Sequence, residues 1–296
     1  MRILLQFPEG LKPEAKKYAD ELEAQGHIVI LHSSPSYGAC DIPIDDAKKL
    51  GADKIIHFGH TRYIKGDIGI EVEYVPITKE MDIALVDKSI PFLEGHKEFS
   101  LIATSSYLGH LEKVKNRYNE LGKKANVHNA DVASPGQVLG CDGSAAKDAL
   151  VVFIGEGLFH LKALAGKKVL YIHPPSGNIG WAEEELERHA KRRKGALAKA
   201  LEAKTFGILV STKPGQFSIA AAEQIKAELG ALGREAYIIA GNELLHSSVS
   251  NYTFIDAFIT TACPRMADDA EAFGKPVLDI TLCNELIDQL RNHFGK

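Results

Sequence analysis

No two cysteines in this chain form a CxxC pair, and none of the four lies close to another. That absence removes zinc-finger and ferredoxin-type spacing. Cys40, Cys141, Cys263 and Cys283 are too scattered to read as the disulfide framework of a small secreted domain. In a reducing compartment such thiols serve as metal ligands or stay free. No apolar run approaches the length of a membrane span. The opening MRILLQFPEGL carries one basic residue and an apolar run that stops at Pro8, without a signal peptide's long apolar centre or cleavage site. A cytoplasmic protein is therefore expected. A formal net charge of −4 over 296 residues leaves no electrostatic footprint for nucleic acid or an anionic membrane. Low-complexity segments are also absent.

What the chain contains is one unit used three times. In the first, residues 2–7 (RILLQF) read as a short apolar strand, and Pro8, Glu9 and Gly10 punctuate it. Residues 12–25 then place Ala15, Tyr18, Ala19 and Leu22 at helical spacing, with Gly26 closing the helix. A strand at 27–31 leads through a loop to Cys40, and Asp41 is the expected cap of a short helix at 44–50. Strands at 54–58 and 71–77 complete the unit. The second unit repeats this order. A strand at 99–104, a helix at 108–121 and a strand at 125–128 lead to Cys141 and Asp142, then a short helix and strands at 150–154 and 168–172. The third opens on a long helix at 182–204 and ends on a helix at 283–294.

Alternating strands and helices argue for parallel sheets with right-handed crossovers. The expected class is α/β, as three similar domains, each a four-stranded parallel sheet with flanking helices. The expected domains are 1–92 with Cys40, 93–180 with Cys141 and 181–296 with Cys263. The boundaries fall in short linkers at 88–98 and 177–181. One sheet of about twelve strands is the alternative, disfavoured because open sheets beyond roughly ten strands are uncommon.

The stretch 254–265 (FIDAFITTACPR) reads as a buried strand that must turn at Pro264, which has no N–H to continue a ladder. Cys263 and Arg265 therefore arrive together at the C-terminal end of a strand, the rim where open α/β sheets hold ligands. Alone, Cys263 would read as a small core residue. Cys40 and Cys141, each on a rim loop of its own unit, change that reading. Three such thiolates can enclose one four-iron cluster and leave one iron open.

The chain also resembles the archaeal diphthamide synthase family of 3-amino-3-carboxypropyl transferases. The matching stretches are 6–11 (QFPEGL), 38–41 (GACD), 74–77 (YVPI), 136–142 (GQVLGCD), 153–160 (FIGEGLFH), 211–216 (STKPGQ) and 261–265 (TACPR). They keep the family's order over nearly the whole chain. The resemblance implies three α/β domains with pseudo-threefold symmetry around a central 4Fe–4S cluster held by Cys40, Cys141 and Cys263. It implies use of S-adenosylmethionine, a homodimer, an external electron donor, and elongation factor 2 as protein substrate. The reaction implied is noncanonical radical transfer of the 3-amino-3-carboxypropyl group to a histidine imidazole carbon, releasing 5′-methylthioadenosine. The turn 173–177 (HPPSG) and the additional thiol Cys283 depart from the family pattern.

Individual residues carry competing readings. Thr212, Lys213, Gly215 and Gln216 lie where a strand turns toward a helix N-terminus, a place that favours a carboxylate. Arg265 offers a planar fork for the same carboxylate, or an ion pair between domains. Cys283 reads as a core thiol. His60 and His160 follow third strands, as polar rim residues or as a proton shuttle. The basic run 189–194 (HAKRRK) reads as a solvated helix face, with docking of a partner protein as the alternative. Two other functions stand beside the transferase. One is a cluster-dependent dehydratase similar to quinolinate synthase, and the other is a non-catalytic electron-delivering subunit.

Overall fold

The computed structural model describes residues 1–294, so the last two residues of the third expected domain lie outside the described residues. The first sheet is built from β1 (Arg2–Gln6), β2 (Ile28–Leu31), β3 (Lys54–Phe58) and β4 (Glu71–Val75), in the order β2-β1-β3-β4 and wholly parallel. Helix α1 (Ala15–Ala24) makes the crossover between β1 and β2. Helix α2 (Ile44–Lys49) follows the Cys40 loop, with Asp45 and Asp46 in its first turn and Lys48 and Lys49 in its last, matching the helix dipole. Its N-cap is Pro43 and not Asp41, so the expected side-chain cap is not formed.

Helix α3 (Ala84–Ser89) leads into the second sheet. There β5 (Glu98–Ala103) is followed by α4 (Leu111–Glu120), β6 (Lys124–Asn126), β7 (Leu150–Ile154) and β8 (Lys168–His173). These four strands repeat the first topology, β6-β5-β7-β8, all parallel. Every residue of β7 is buried, as a strand covered on both faces requires. Two expectations differ here. The stretch expected as a linker carries a fifth strand, β9 (Asn178–Trp181), antiparallel to β8. The short helix expected after Cys141 is absent, because Asp142 accepts the Ser144 N–H at 2.9 Å and holds the chain in turns.

Helix α5 (Glu183–Leu201) precedes the third sheet, built from β10 (Thr205–Ser211), β11 (Glu235–Gly241), β12 (Ala257–Thr260) and β13 (Val277–Leu278). The order β11-β10-β12-β13 is again parallel throughout. Helix α6 (Ile219–Ala231) crosses from β10 to β11, and α7 (His246–Val249) precedes β12. Short helices α8 (Arg265–Asp268) and α9 (Ala270–Phe273) lie between β12 and β13, and α10 (Ile280–Phe294) closes the described chain. Phe206, Ile208 and Val210 pack in one cluster with Leu197, Ile225, Leu229 and Leu286. Leu209 and Phe258 pack with Val249 and Phe273 in another. Alternate β10 residues thus serve opposite faces. Cys283 is completely buried in the first cluster, with burial pushing its thiol up to about 12.

Three parallel-dominated sheets of four or five strands, flanked by helices, are therefore present. The chain forms two compact units. Met1–Leu186 contains the first two sheets and Glu187–Lys296 the third.

Candidate functional site

Cys40 and Cys141 both follow the second strand of their sheet, and neither is in a disulfide. The Cys141 loop is tied to β5. Ala103 donates its N–H to the Gly136 carbonyl at 2.8 Å, and Val138 donates to the Ala103 carbonyl at 3.0 Å. Leu139 and Asp142 exchange backbone hydrogen bonds of 2.9 and 3.1 Å, so Gly140 and Cys141 form the tip of a tight turn. A Cβ on Gly140 would lie 2.0 Å from the Phe159 ring, which explains glycine there. The Asp142 carboxylate accepts from the N–H groups of Val132, Ala133 and Ser144. Burial pushes its pKa up, but these bonds prevail and hold it below the usual value.

Cys141 is exposed and Cys40 half-buried. Partial desolvation raises the Cys141 thiol, and the neighbouring Cys40 raises it further. Tyr63, on the loop after β3, donates to the Cys141 sulfur and feels Cys40 as well. Two thiols whose charges would repel suit a cation between them, and thiolate is the donor that iron–sulfur clusters take. The third expected ligand, Cys263, belongs to the other compact unit and is half-buried after β12. Among the described residues, no three His, Cys, Asp or Glu side chains form a group able to hold a metal ion.

A polar chain runs behind Cys40. Gln6 ends β1 and pairs in register with His57 of β3, and both side chains are buried. Gln6 Nε2 donates to the carbonyl of Asp41, the residue after Cys40, at 2.6 Å. Gln6 Oε1 lies 2.7 Å from His57 Nδ1, and His57 Nε2 lies 2.9 Å from His60 Nδ1. Burial, then the nearby His60, lowers His57 to about 3. Burial, then His160 of the second sheet's rim, lowers His60 to about 4. Next along, Thr61 donates to Gln137 Oε1 at 2.7 Å, reaching the loop that carries Cys141. A clamp also joins the first two sheets. Lys79 binds both oxygens of Glu156 at 2.9 and 2.8 Å, and Tyr107 donates to Glu156 at 2.5 Å.

In the third sheet, the Thr212 N–H goes to the Gly241 carbonyl and the Gln216 N–H to the Lys213 carbonyl, both at 3.0 Å. Lys213 is buried, with its ammonium 2.7 Å from Glu243. Helix α6 begins three residues beyond Gln216, with Ser218 as N-cap. Its dipole therefore starts farther along than sequence spacing places it, and three amides of the turn, those of Thr212, Lys213 and Gln216, are already committed. Gly215 sits within that turn. Arg265 opens α8, largely exposed, with its Nε 4.0 Å from Asp269. The basic run on α5 is partly tied down, since His189 faces Asp268 at 3.6 Å and Arg193 binds both oxygens of Asp279.

Sequence spacing does not find the Gln6–His57–His60 chain, Tyr63 or the Lys79–Glu156 clamp. The one available signal is the polar residue in each of two apolar strands, Gln6 and His57.

Comparisons with known proteins agree with this architecture. The family described as "Putative diphthamide synthesis protein" matches residues 7–282. The chain is 36% identical over 287 residues to the 2-(3-amino-3-carboxypropyl)histidine synthase of Pyrococcus horikoshii, covering 94% of this chain and 83% of that protein. It is 29% identical to subunit 1 of the corresponding synthase of Nematostella vectensis, covering 94% of this chain and 62% of that protein. The crystal structure of Dph2 from Pyrococcus horikoshii with a 4Fe–4S cluster superposes with a TM-score of 0.90 at 33% identity, covering 97% of this chain and 86% of that one. With its seven motifs in order, its three sheets and its rim thiols, the chain belongs to the diphthamide synthesis protein family.

Proposed function

We propose that this protein transfers the 3-amino-3-carboxypropyl group of S-adenosylmethionine to an imidazole carbon of a histidine in elongation factor 2, the first step of diphthamide biosynthesis. The observation that carries this reading is the match, over nearly the whole chain, to a synthase named for that product. The Cys40 and Cys141 thiols, neither in a disulfide and near enough for the first to raise the second, support it. In this reading Cys40, Cys141 and Cys263 hold a 4Fe–4S cluster. The cluster, when bound, supplies one electron and an open iron site.

The chain's own residues orient the cofactor. Arg265, with the side chains of Thr212, Lys213 and Gln216 and the backbone at Gly215, receives the methionine carboxylate. Held this way, the methionine γ-carbon points toward the reducing centre, and the bond between it and sulfur breaks. The by-product is 5′-methylthioadenosine. Dipoles fixed before the reaction set this orientation without reorganising. The enzyme works in the cytoplasm as a homodimer fed by an external electron donor.

The test is anaerobic incubation of the reduced, reconstituted protein with S-adenosylmethionine and archaeal elongation factor 2. Formation of 5′-methylthioadenosine together with a factor heavier by the transferred group is expected. Predominant 5′-deoxyadenosine overturns the cofactor geometry. Untouched S-adenosylmethionine overturns the transferase reading and favours a dehydratase or an electron-delivering subunit.

A further inference from the structure

The hydrogen bonds behind Cys40 have a fixed direction, and that direction decides where His60 carries its proton. The Asp41 carbonyl can only accept, so the Gln6 atom 2.6 Å from it is the amide nitrogen. Gln6 therefore turns its oxygen to His57 Nδ1, which must carry a hydrogen. Burial keeps His57 neutral, so its Nε2 is a lone pair. His60 Nδ1, 2.9 Å away, must then be the donor. A backbone hydrogen bond with Phe58 opposes the lowering of the His60 ring. A neutral His60 has no second hydrogen, and its Nε2 is left as a lone pair. Among the described residues no hydrogen bond reaches that nitrogen. His60 follows the C-terminal end of β3, close enough to His160 of the second sheet to feel its charge. Thr61, its neighbour, is bonded to the loop of Cys141.

A group transfer to an imidazole carbon needs such a lone pair. Cleavage of the sulfur–γ-carbon bond takes up one electron and gives 5′-methylthioadenosine and a 3-amino-3-carboxypropyl radical. The γ-carbon then bonds to the ring carbon, which becomes tetrahedral and keeps its hydrogen. Loss of one electron, returned to the centre that supplied it, and of one proton restores the aromatic ring. The sum is S-adenosylmethionine plus histidine giving 5′-methylthioadenosine, the substituted histidine and one proton. We propose that His60 Nε2 takes this proton. This inference rests on the transfer proposed above.

The neighbouring groups fit less well. Tyr63 donates its own proton toward Cys141, and burial, with the two thiols, pushes it up to about 12. Cys40 and Cys141 are the expected cluster ligands. Burial makes His60 a weak base, and a weak base is enough, because the cationic adduct regains aromaticity on losing its proton. The same burial keeps the lone pair unprotonated at neutral pH, so each turnover begins with a base ready to accept.

The test separates cofactor cleavage from transfer. His60→Asn keeps an amide N–H able to serve His57 and deletes the distal nitrogen. His60→Ala removes both. The acceptor is archaeal elongation factor 2 carrying deuterium on the ring carbon that is substituted. In His60→Asn, formation of 5′-methylthioadenosine should stay within about twofold of wild type while modified factor falls by about a hundredfold. Deuterium should slow the residual transfer, and added imidazole should restore part of it in His60→Ala. Transfer at the wild-type rate in His60→Asn overturns the proposal. So does equal loss of cleavage and transfer in both variants with no rescue by imidazole, which marks a positioning role. Failure of the wild-type protein to make 5′-methylthioadenosine would instead strike the transferase reading itself.

Discussion

The rims of the first and third sheets share a strand order and differ in charge. In the first, β1 ends at Gln6, which feeds a buried file of neutral imidazoles, His57 and His60. In the third, β10 runs into Lys213, whose buried ammonium is balanced by Glu243 from beyond β11. The cysteines differ too. Cys40 follows the second strand of its sheet and Cys263 the third. The comparison teaches that a repeated topology fixes where a rim lies but not its chemistry. One rim carries neutral imidazoles and the other a buried ammonium paired with a carboxylate.

The largest effect expected concerns the thiols. Cys40→Ala, Cys141→Ala and Cys263→Ala should each lose most bound iron and acid-labile sulfide after anaerobic reconstitution. Cys283→Ala should keep both, losing about 1 kcal/mol of stability from a vacated core position. A normal cluster in two of the three rim variants would break the assignment.

Next is the ion pair of the third rim. Lys213→Met leaves Glu243 without its cation in a partly buried place, and urea unfolding should show a loss of about 2–3 kcal/mol. If Lys213→Met and Glu243→Gln together recover none of that loss, the pair does not account for the burial of Lys213.

The imidazole file should make the first rim acid-sensitive. His57 titrates near 3 and His60 near 4, against an ordinary value of 6.5. Below about 6.5 the unfolded chain binds protons that the folded chain refuses. Stability should therefore be full above that value and fall as pH drops toward 4 and then 3. His57→Gln should flatten the slope of the urea midpoint between neutral pH and pH about 5. An unchanged slope would mean that other groups set the acid limb.

The smallest effect belongs to Arg265, whose contact with Asp269 is long and exposed. Arg265→Ala should shift stability by no more than about 0.5 kcal/mol. Calorimetry should nevertheless show weaker binding of S-adenosylmethionine. Unchanged binding would leave the third rim without its proposed anion site.

Much of this fold was legible because parallel strands buried on both faces leave continuous apolar runs. The all-buried LVVFI of β7 is the clearest case. Helix ends were legible because Gly26, Gly122 and Gly233 take positive φ just past α1, α4 and α6. The stretch after Cys141 misled because GSAAKDAL has helical composition, while local bonds to Asp142 are invisible to composition. The His57–His60 file was illegible for a different reason. His57 sits inside a strand run, and its partner Gln6 is 51 residues away in sequence. Only strand register brings the two side by side.

The antiparallel strand β9 bears on how such a chain can be recombined. A parallel α/β unit invites a cut in the turn after its fourth strand, here at 174–177. Removal of Asn178–Trp181 would strip the outer ladder from β8 and the Trp181 ring from beneath the Lys168 ammonium, 4.3 Å from its centre. The bare edge would then be a template for another chain. The second sheet therefore runs at least through Trp181, carrying its own selvedge, and a duplication or exchange that stopped at the turn would inherit a fraying sheet.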